Sequence, residues 1–359
     1  MLKRHWDRLG LDKRLRAIYT KYERLFIPGF LVVGFVFDII TFRTLQINTT
    51  LRLLFVYAVG IILMIAYIHL YDDRPKPPKS VILNYLRFLA SFATQIAMGA
   101  LLSSALLFYW FSGSFSVSWP LFALTTGVMV SSEIFRRIYL KPTVQLGVYN
   151  FALLSYFSVL LPFVLRSLSG WTFILAGVMS TLVTLLLALF LAHFSSKIRP
   201  LRSSLFASIM SVFALMSALY VFKLIPPLPL SITEAGIYHN IQRQAGEYIL
   251  TGDDENFFQR LIPGQKIYAN LNESIYAYTA IFVPADLSTE IYHLWEYKDP
   301  LSDKWVDRNL LHFSAHGGRQ QGYRGYTTKT GLAPGQWRVT VQNSRGQVLG
   351  RLKFTVESH

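Results

Sequence analysis

The sequence has 359 residues, of which 52% are hydrophobic, only 15% are charged and none is cysteine. Charged residues are about ten percentage points scarcer than in a typical soluble domain, and the lack of thiols excludes disulfides, thiolate metal sites and cysteine nucleophiles. The net charge of +15 lies before about residue 230, with 22 Lys and Arg against 7 Asp and Glu up to Leu230, and 13 against 13 from Ser231. Because the basic part is also the apolar part, the charge indicates membrane topology rather than a nucleic-acid partner.

Residues 1–24 are predicted to be a basic cytoplasmic segment without a cleavable signal peptide, so the first apolar run is expected to remain as an anchor. Residues 25–225 are predicted to be a transmembrane domain of about seven helices, since a helix needs about 20 apolar residues to cross the hydrocarbon. The predicted spans are Leu25–Phe42, Leu51–Tyr71, Phe88–Phe111, Trp119–Phe135, Val144–Leu165, Trp171–Phe194 and Leu205–Ile225.

The orientation of the spans follows from the gaps between them. Lys and Arg number 18 in alternate gaps beginning with the N-terminus, and 3 in the intervening gaps. The positive-inside rule therefore predicts a cytoplasmic N-terminus and, after seven crossings, a C-terminal domain on the opposite side. Trp110, Trp119 and Trp171 agree, because all three fall at predicted outer ends, where indole rings prefer to lie.

Two acidic residues, Asp38 and Glu133, lie within predicted spans. Carboxylates inside a membrane are costly, so both are candidate functional residues by default. Both also lie near the predicted ends of their spans, and Glu133 is close to Arg136 and Arg137. Snorkelling or a local ion pair would explain them without a function.

The remaining residues are predicted to form a linker and a β-domain. The run KLIPPLPL at residues 223–230 ends the last span. In the linker, residues 226–263, roughly helical spacing of apolar residues then predicts one or two short juxtamembrane helices. From residue 264 to 359 the period changes to two, with strand-like runs separated by turn residues. These runs are Ile275–Val283, Glu290–Tyr297, Trp337–Val341 and Leu352–Val356, and they predict an antiparallel, immunoglobulin-like β-sandwich.

Three motifs in this order carry a family resemblance: TAIFVPADLSTEIYHLWEY, GGRQQGYRGYTTK and PGQWRVTVQNSRGQVLGRLKFTV. Over about Gly264–Val356 the chain resembles bacterial inner-membrane proteins whose C-terminal β-domain is catalogued as domain of unknown function 2914. Tyr326 stands where the family pattern more often has Trp. The resemblance implies a β-domain in the periplasm and a multi-pass location in the inner membrane, and it implies no reaction.

The densest unusual cluster is a candidate ligand site made of Gly317, Gly318, Arg319, Tyr323 and Arg324. Glycines allow positive φ angles and close backbone approach, while two guanidinium groups and a phenol ring can grip an anionic or sugar ligand. The alternative is a tight loop whose arginines bind carbonyl groups or acidic neighbours within the fold.

No metal site, cofactor or catalytic site is predicted. His312 and His316 have a spacing that suits metal ligation on a helix, but the surrounding sequence is strand-like and no third ligand is evident, although His293 or Glu296 could converge in space. The chain contains no GxSxG, Walker A or HExxH motif and no Rossmann fingerprint after a strand.

The sequence therefore predicts a membrane protein without a recognisable catalytic motif, with lipids as neighbours and no nucleic-acid partner. Its periplasmic sandwich would bind an envelope protein or a glycan, in envelope assembly, sensing or polysaccharide handling. Two alternatives remain open. One is a transporter or lipid flippase that works through the helix bundle, and the other is a membrane-embedded transferase that acts on lipid-linked substrates.

Overall fold

The computed structural model describes residues 47–74, 80–244, 247–252, 265–270, 272–285, 287–319 and 321–357. The first predicted span and Asp38 lie outside these residues. The chain forms two compact units. One unit contains the residues up to Ala105 with Leu124–Leu153 and Leu182–Ser211, and the other contains Leu106–Ala123, Leu154–Thr181 and Val212–His359.

The described helices are α1 Ile47–Asp72, α2 Val81–Ser112, α3 Phe115–Ile134, the one-turn α4 Arg136–Tyr139, α5 Pro142–Leu165, α6 Gly170–Phe194 and α7 Arg202–Val221. A 3₁₀ turn at Arg199–Leu201 precedes α7. Within the described residues, six helices are long and apolar enough to cross a membrane, rather than the seven expected. These six correspond to the second to seventh predicted spans, with ends that differ by several residues.

Polar side chains inside the first unit are satisfied by hydrogen bonds between helices. The Tyr149 hydroxyl on α5 donates to the carbonyl of Ala58 on α1 over 3.0 Å. Asn150 Nδ2 donates to the carbonyl of Ile209 over 3.2 Å, and Thr184 Oγ1 donates to Asn150 Oδ1 over 3.3 Å. In an apolar environment such bonds must replace those that water would make. They therefore fix α5 against its neighbours.

In the second unit, the C-terminal β-domain is bonded to helix ends. Arg345 Nη1 donates to the Tyr220 hydroxyl on α7 over 2.6 Å, and the Tyr220 ring stacks on Phe173 of α6 with centroids 4.0 Å apart. Gln347 Nε2 donates to the carbonyl of Ile225 over 2.9 Å. These bonds attach the turn between the last two strands to the end of α7 and to the segment that follows it.

The described residues of the β-domain form two sheets and a hairpin. The three-stranded sheet has the order β1-β5-β8, and the five-stranded sheet has the order β4-β10-β9-β6-β7, in which β4 and β10 are parallel. Strands β2 and β3 form the separate hairpin. The strands are β1 Ser231–Tyr238, β2 Asn240–Gln244, β3 Glu247–Thr251, β4 Gln265–Tyr268, β5 Ser274–Phe282, β6 Ser288–Lys298, β7 Trp305–His316, β8 Tyr323–Thr330, β9 Gly335–Asn343 and β10 Val348–Glu357.

The prediction of short helices between residues 226 and 263 is wrong for the part of this segment that the structure describes. Residues 231–238 form β1, which pairs antiparallel with β5 from Ser231 to Tyr238, and β2 pairs with β3. The sheet therefore begins at Ser231 rather than at residue 264. Ile237, one of the apolar residues whose spacing suggested a helix, lies on the face of β1 that is buried in the sandwich core. Tertiary pairing overrides weak local spacing in such segments.

The core of the sandwich lies between the two sheets and contains both apolar and polar side chains. Trp295, Trp337 and Phe354 are buried in one cluster with aliphatic residues of both sheets. The wholly buried His293 is hydrogen-bonded to Thr327 through Nδ1 over 2.9 Å and to Thr279 through Nε2 over 3.1 Å. Burial lowers the pKa of His293 to about 3, so this imidazole is neutral in the folded domain.

Candidate functional site

The outer face of the three-stranded sheet presents side chains in cross-strand rows. In one row, Tyr238 of β1 pairs with Tyr276 of β5, and in the next row Tyr278 of β5 pairs with Tyr326 of β8. Arg324 of β8 lies in the third row, opposite Ala280 and two residues from Tyr326. Alternate residues of a strand share a face, so the pairing places these tyrosines and Arg324 on one surface.

The β2–β3 hairpin packs over part of this face. The ring centroid of Tyr248 on β3 lies 6.0 Å from that of Tyr278 and 6.2 Å from that of Tyr326. Tyr278 is consequently buried, whereas Tyr326 remains 41% exposed. Arg243 of β2 pairs directly with Tyr248. The hairpin therefore brings a further guanidinium and a further phenol ring to the sheet.

A cleft of about 480 Å³ lies between the hairpin and the start of β8. We name it the arginine cleft, and it is lined by Arg243, Tyr248, Arg319, Gln321, Gly322, Tyr323 and Arg324. Its three guanidinium groups come from two segments that are far apart in sequence. Arginine presents several N–H groups in a planar fork that matches carboxylate and phosphate oxygens. The cleft thus has the chemistry of an anion-binding site.

The guanidinium groups of the cleft are not neutralised within the part of the chain that the structure describes. Arg324 Nη2 donates to Gln321 Oε1 over 2.7 Å, and the Arg319 guanidinium lies over the Tyr323 ring, 5.0 Å from its centroid. Neither of these partners carries a negative charge. Among the described side chains, no carboxylate forms an ion pair with these two residues or with Arg243.

An acidic side chain of the same sheet, Glu234, lies in the same row as Arg324. Its Oε2 accepts a hydrogen bond from the Tyr278 hydroxyl over 3.4 Å. Burial, followed by the charge of Glu234, raises the pKa of Tyr278 to about 12, so the phenol stays protonated and adds no negative charge. The described residues that line the cleft include three guanidinium groups and no carboxylate, so this lining is positively charged.

The glycines of the predicted cluster shape the loop that carries Arg319. A Cβ on Gly317 would lie 1.7 Å from the carbonyl oxygen of Pro284, so no larger residue fits without moving the backbone. Gly318 and Gly322 have φ angles of +93° and +85°, which side chains other than glycine rarely adopt. The close approach at Gly317 therefore joins this loop to the end of β5.

The predicted ligand residues divide into two groups in the structure. Arg319, Tyr323 and Arg324 lie together in the arginine cleft, while Gly317 and Gly318 are absent from its lining and hold the loop. Sequence reasoning missed Arg243, Tyr248 and Gln321. A signal for the first two was present: only Ala245 and Gly246 separate two runs that can pair, as in a two-residue hairpin turn.

The other candidate residues lie elsewhere or outside the description. Glu133 lies one residue before the end of α3, and its side chain is outside the described part, as is all of Asp38. His312 and His316 lie on strand β7 rather than on a helix, and His293 is buried among threonines. Among the residues that the structure describes, no three His, Asp or Glu side chains converge as metal ligands.

Comparisons with known proteins give a family for the C-terminal segment. Residues 288–356 match the family described as "Protein of unknown function (DUF2914)", which confirms the resemblance read from the motifs. No curated protein matches the chain. Among solved structures, an immunoglobulin-like protein from Pseudomonas aeruginosa is similar to 36% of this chain and 96% of its own, with 12% identity and a TM-score of 0.23.

Proposed function

We propose that this chain is a multi-pass protein of the bacterial inner membrane whose periplasmic β-sandwich recognises an anionic ligand. The observation that carries the proposal is the arginine cleft, in which three guanidinium groups surround about 480 Å³ without a paired carboxylate among the described side chains. Such recognition would serve envelope assembly, sensing or polysaccharide handling, with the helices as the anchor.

The membrane location is supported by the six candidate spans and by their exposed apolar side chains. Leu182, Leu186 and Leu189 of α6 are all more than half exposed, as expected of residues that face lipid. Trp110 and Trp171 are also largely exposed at helix ends, where an aromatic belt would lie. The distribution of Lys and Arg supports a periplasmic C-terminus.

The lack of cysteine permits a clean test of this orientation, because each introduced thiol is the only one in the chain. Leu301 in the β6–β7 turn is 97% exposed, and Lys141 before α5 is also exposed. We expect a membrane-impermeant maleimide to label Leu301→Cys in cells whose outer membrane alone is permeabilised. Lys141→Cys should be labelled only after the inner membrane is broken, and the reverse pattern would overturn the orientation.

Anion recognition is tested with the full chain in phosphatidylcholine nanodiscs and fluorescent polyglutamate as the probe. We expect Arg319→Gln and Arg324→Gln each to weaken binding about 10- to 150-fold, since a charge-assisted hydrogen bond contributes about 1.5–3 kcal/mol. Lys353→Gln is the matched control, because Lys353 is an exposed cation on β10 of the other sheet. Equal losses of polyglutamate affinity in all three variants would indicate a general effect of charge and would contradict anion binding in the cleft.

The transporter and transferase alternatives gain no support from the described residues. The transporter alternative depends on Asp38 and Glu133, whose side chains lie outside the description. Both alternatives stay predictions from the sequence, and flux measurements with Asp38→Asn and Glu133→Gln test the first of them.

A further inference from the structure

Beside the arginine cleft, the outer face of the three-stranded sheet carries a band of phenol rings. We name it the tyrosine strip and define it as Tyr238, Tyr248, Tyr276, Tyr278 and Tyr326. Successive rings touch, with centroid distances of 6.1 Å for Tyr238–Tyr278, 6.0 Å for Tyr248–Tyr278 and 5.8 Å for Tyr276–Tyr326. The five rings therefore form one connected cluster, in which Tyr278 is buried and the other four rings are partly exposed.

The strip and the cleft are parts of the same surface. Tyr248 lines the cleft and contacts Tyr326, and Arg324 precedes Tyr326 by two residues on the same face of β8. Two residues along a strand span about 6.6 Å. A guanidinium and a half-exposed ring are thus presented side by side to any ligand that leaves the cleft along the sheet.

The rings of the strip have different roles. Tyr278 is buried and hydrogen-bonded to Glu234, so it supports the others from below. Tyr326 is 41% exposed, and Tyr276 and Tyr238 are partly exposed. A Cβ on Gly236 would lie 2.6 Å from the Tyr238 hydroxyl, so the absence of a side chain there lets this ring lie across β1. The sheet holds these rings in place before any ligand binds.

We infer that the cleft and the strip together bind an acidic polysaccharide, with guanidinium groups on its carboxylates and tyrosine rings on the apolar faces of its sugars. The inference rests on the proposed function, since it assigns a class to the anionic ligand of the same cleft. A flexible polyanion without rings would use the arginines but not the strip. A neutral glycan would give the guanidinium groups no negatively charged partner. A cleft that continues into a partly exposed strip suits a chain-like ligand.

Three probes separate these chemistries on the full chain in phosphatidylcholine nanodiscs: polygalacturonate, polyglutamate of similar length and neutral dextran. We expect polygalacturonate to bind more tightly than polyglutamate, and dextran to bind least. Tyr326→Ala should weaken polygalacturonate binding roughly three- to tenfold, the range of a single aromatic contact, and leave polyglutamate binding unchanged. Tyr326→Phe, which keeps the ring, should restore the affinity.

Tyr268 of β4 is the matched control, because it is 40% exposed on the other sheet. Tyr268→Ala should bind all three probes as the native chain does. If polyglutamate binds as tightly as polygalacturonate and Tyr326→Ala affects neither, the polysaccharide inference is wrong while the anion-binding cleft stands. If neither polyanion binds, the proposed function itself fails. Loss of polygalacturonate binding in Tyr268→Ala as well would also overturn the role of the strip.

Discussion

Arg338 of β9 and Glu296 of β6 form a bidentate ion pair between neighbouring strands, with Nη2–Oε1 at 2.5 Å and Nε–Oε2 at 2.7 Å. Their side chains are only 15% and 6% exposed. Thr340 Oγ1 donates a further hydrogen bond of 2.6 Å to Glu296 Oε2. Burial alone would raise the pKa of Glu296, but the hydrogen bonds from Arg338 and Thr340 and the charge of Arg338 hold this pKa below its ordinary value.

Arg338→Met is expected to destabilise the sandwich by about 3–5 kcal/mol, because it leaves the Glu296 carboxylate buried without a counter-charge. Lys266→Met is the matched control, since the Lys266–Glu357 pair is 57% and 39% exposed and such exposed pairs contribute little to stability. Hydrogen exchange of the β6 and β9 amides in the full chain measures both changes. Equal effects of the two substitutions would contradict a structural role for the buried pair.

The buried His293 is expected to make the sandwich less stable in mild acid. Its pKa is about 3 in the folded domain against 6.5 in the unfolded chain, so the unfolded state binds the extra proton between these values. The free energy of unfolding is therefore highest above about pH 6.5 and falls as the pH is lowered. At pH 5.5 the loss due to His293 is about 1.4 kcal/mol.

Hydrogen exchange between pH 7 and 5.5, corrected for the intrinsic exchange rate, measures this loss. We expect His293→Gln to remove most of the pH dependence of the stability of the sandwich. His312→Gln should retain it, because the His312 side chain is 60% exposed. A pH dependence that survives in His293→Gln would assign the titration to another group.

Gly317→Ala is expected to displace the loop that carries Arg319, since its Cβ would lie 1.7 Å from the Pro284 carbonyl oxygen. Faster hydrogen exchange in residues 317–324 and weaker polyglutamate binding should accompany the change. Gly318→Ala is a graded comparison, because its Cβ meets no atom within 4 Å and only the φ angle of +93° opposes it, at about 1–2 kcal/mol. An effect of Gly317→Ala no larger than that of Gly318→Ala would contradict the steric explanation.

The candidate spans and the main strands could be predicted because their signals are local. Six apolar runs became helices, and the period of two over Glu290–Tyr297 became β6. Strand β7 was not assigned from the sequence, although the residues before Phe313 resemble a strand. It is an edge strand with mostly exposed residues, so the alternation that burial imposes on one face is weak there.

Only those residues of the arginine cleft that lie close together in the sequence could be predicted. Arg319, Tyr323 and Arg324 lie close together in sequence, whereas Arg243 and Tyr248 reach the cleft through the packing of a hairpin on a sheet. Such packing depends on contacts between segments that are distant in sequence. The spacing of residues within one segment does not indicate these contacts. The same limit explains why Gly317 was assigned to a ligand site, since its partner Pro284 lies on another strand connection.

Hydrogen-exchange mapping of the full chain in nanodiscs, with and without polygalacturonate, tests the central claim most directly. We expect slower exchange in residues 240–244, 247–251 and 321–326, which form the hairpin, the cleft and the exposed part of the tyrosine strip. Residues 265–268 of β4, on the other sheet, should exchange at unchanged rates. Protection confined to β4 and β10, or none anywhere in the sandwich, would contradict recognition of an acidic polysaccharide at this surface.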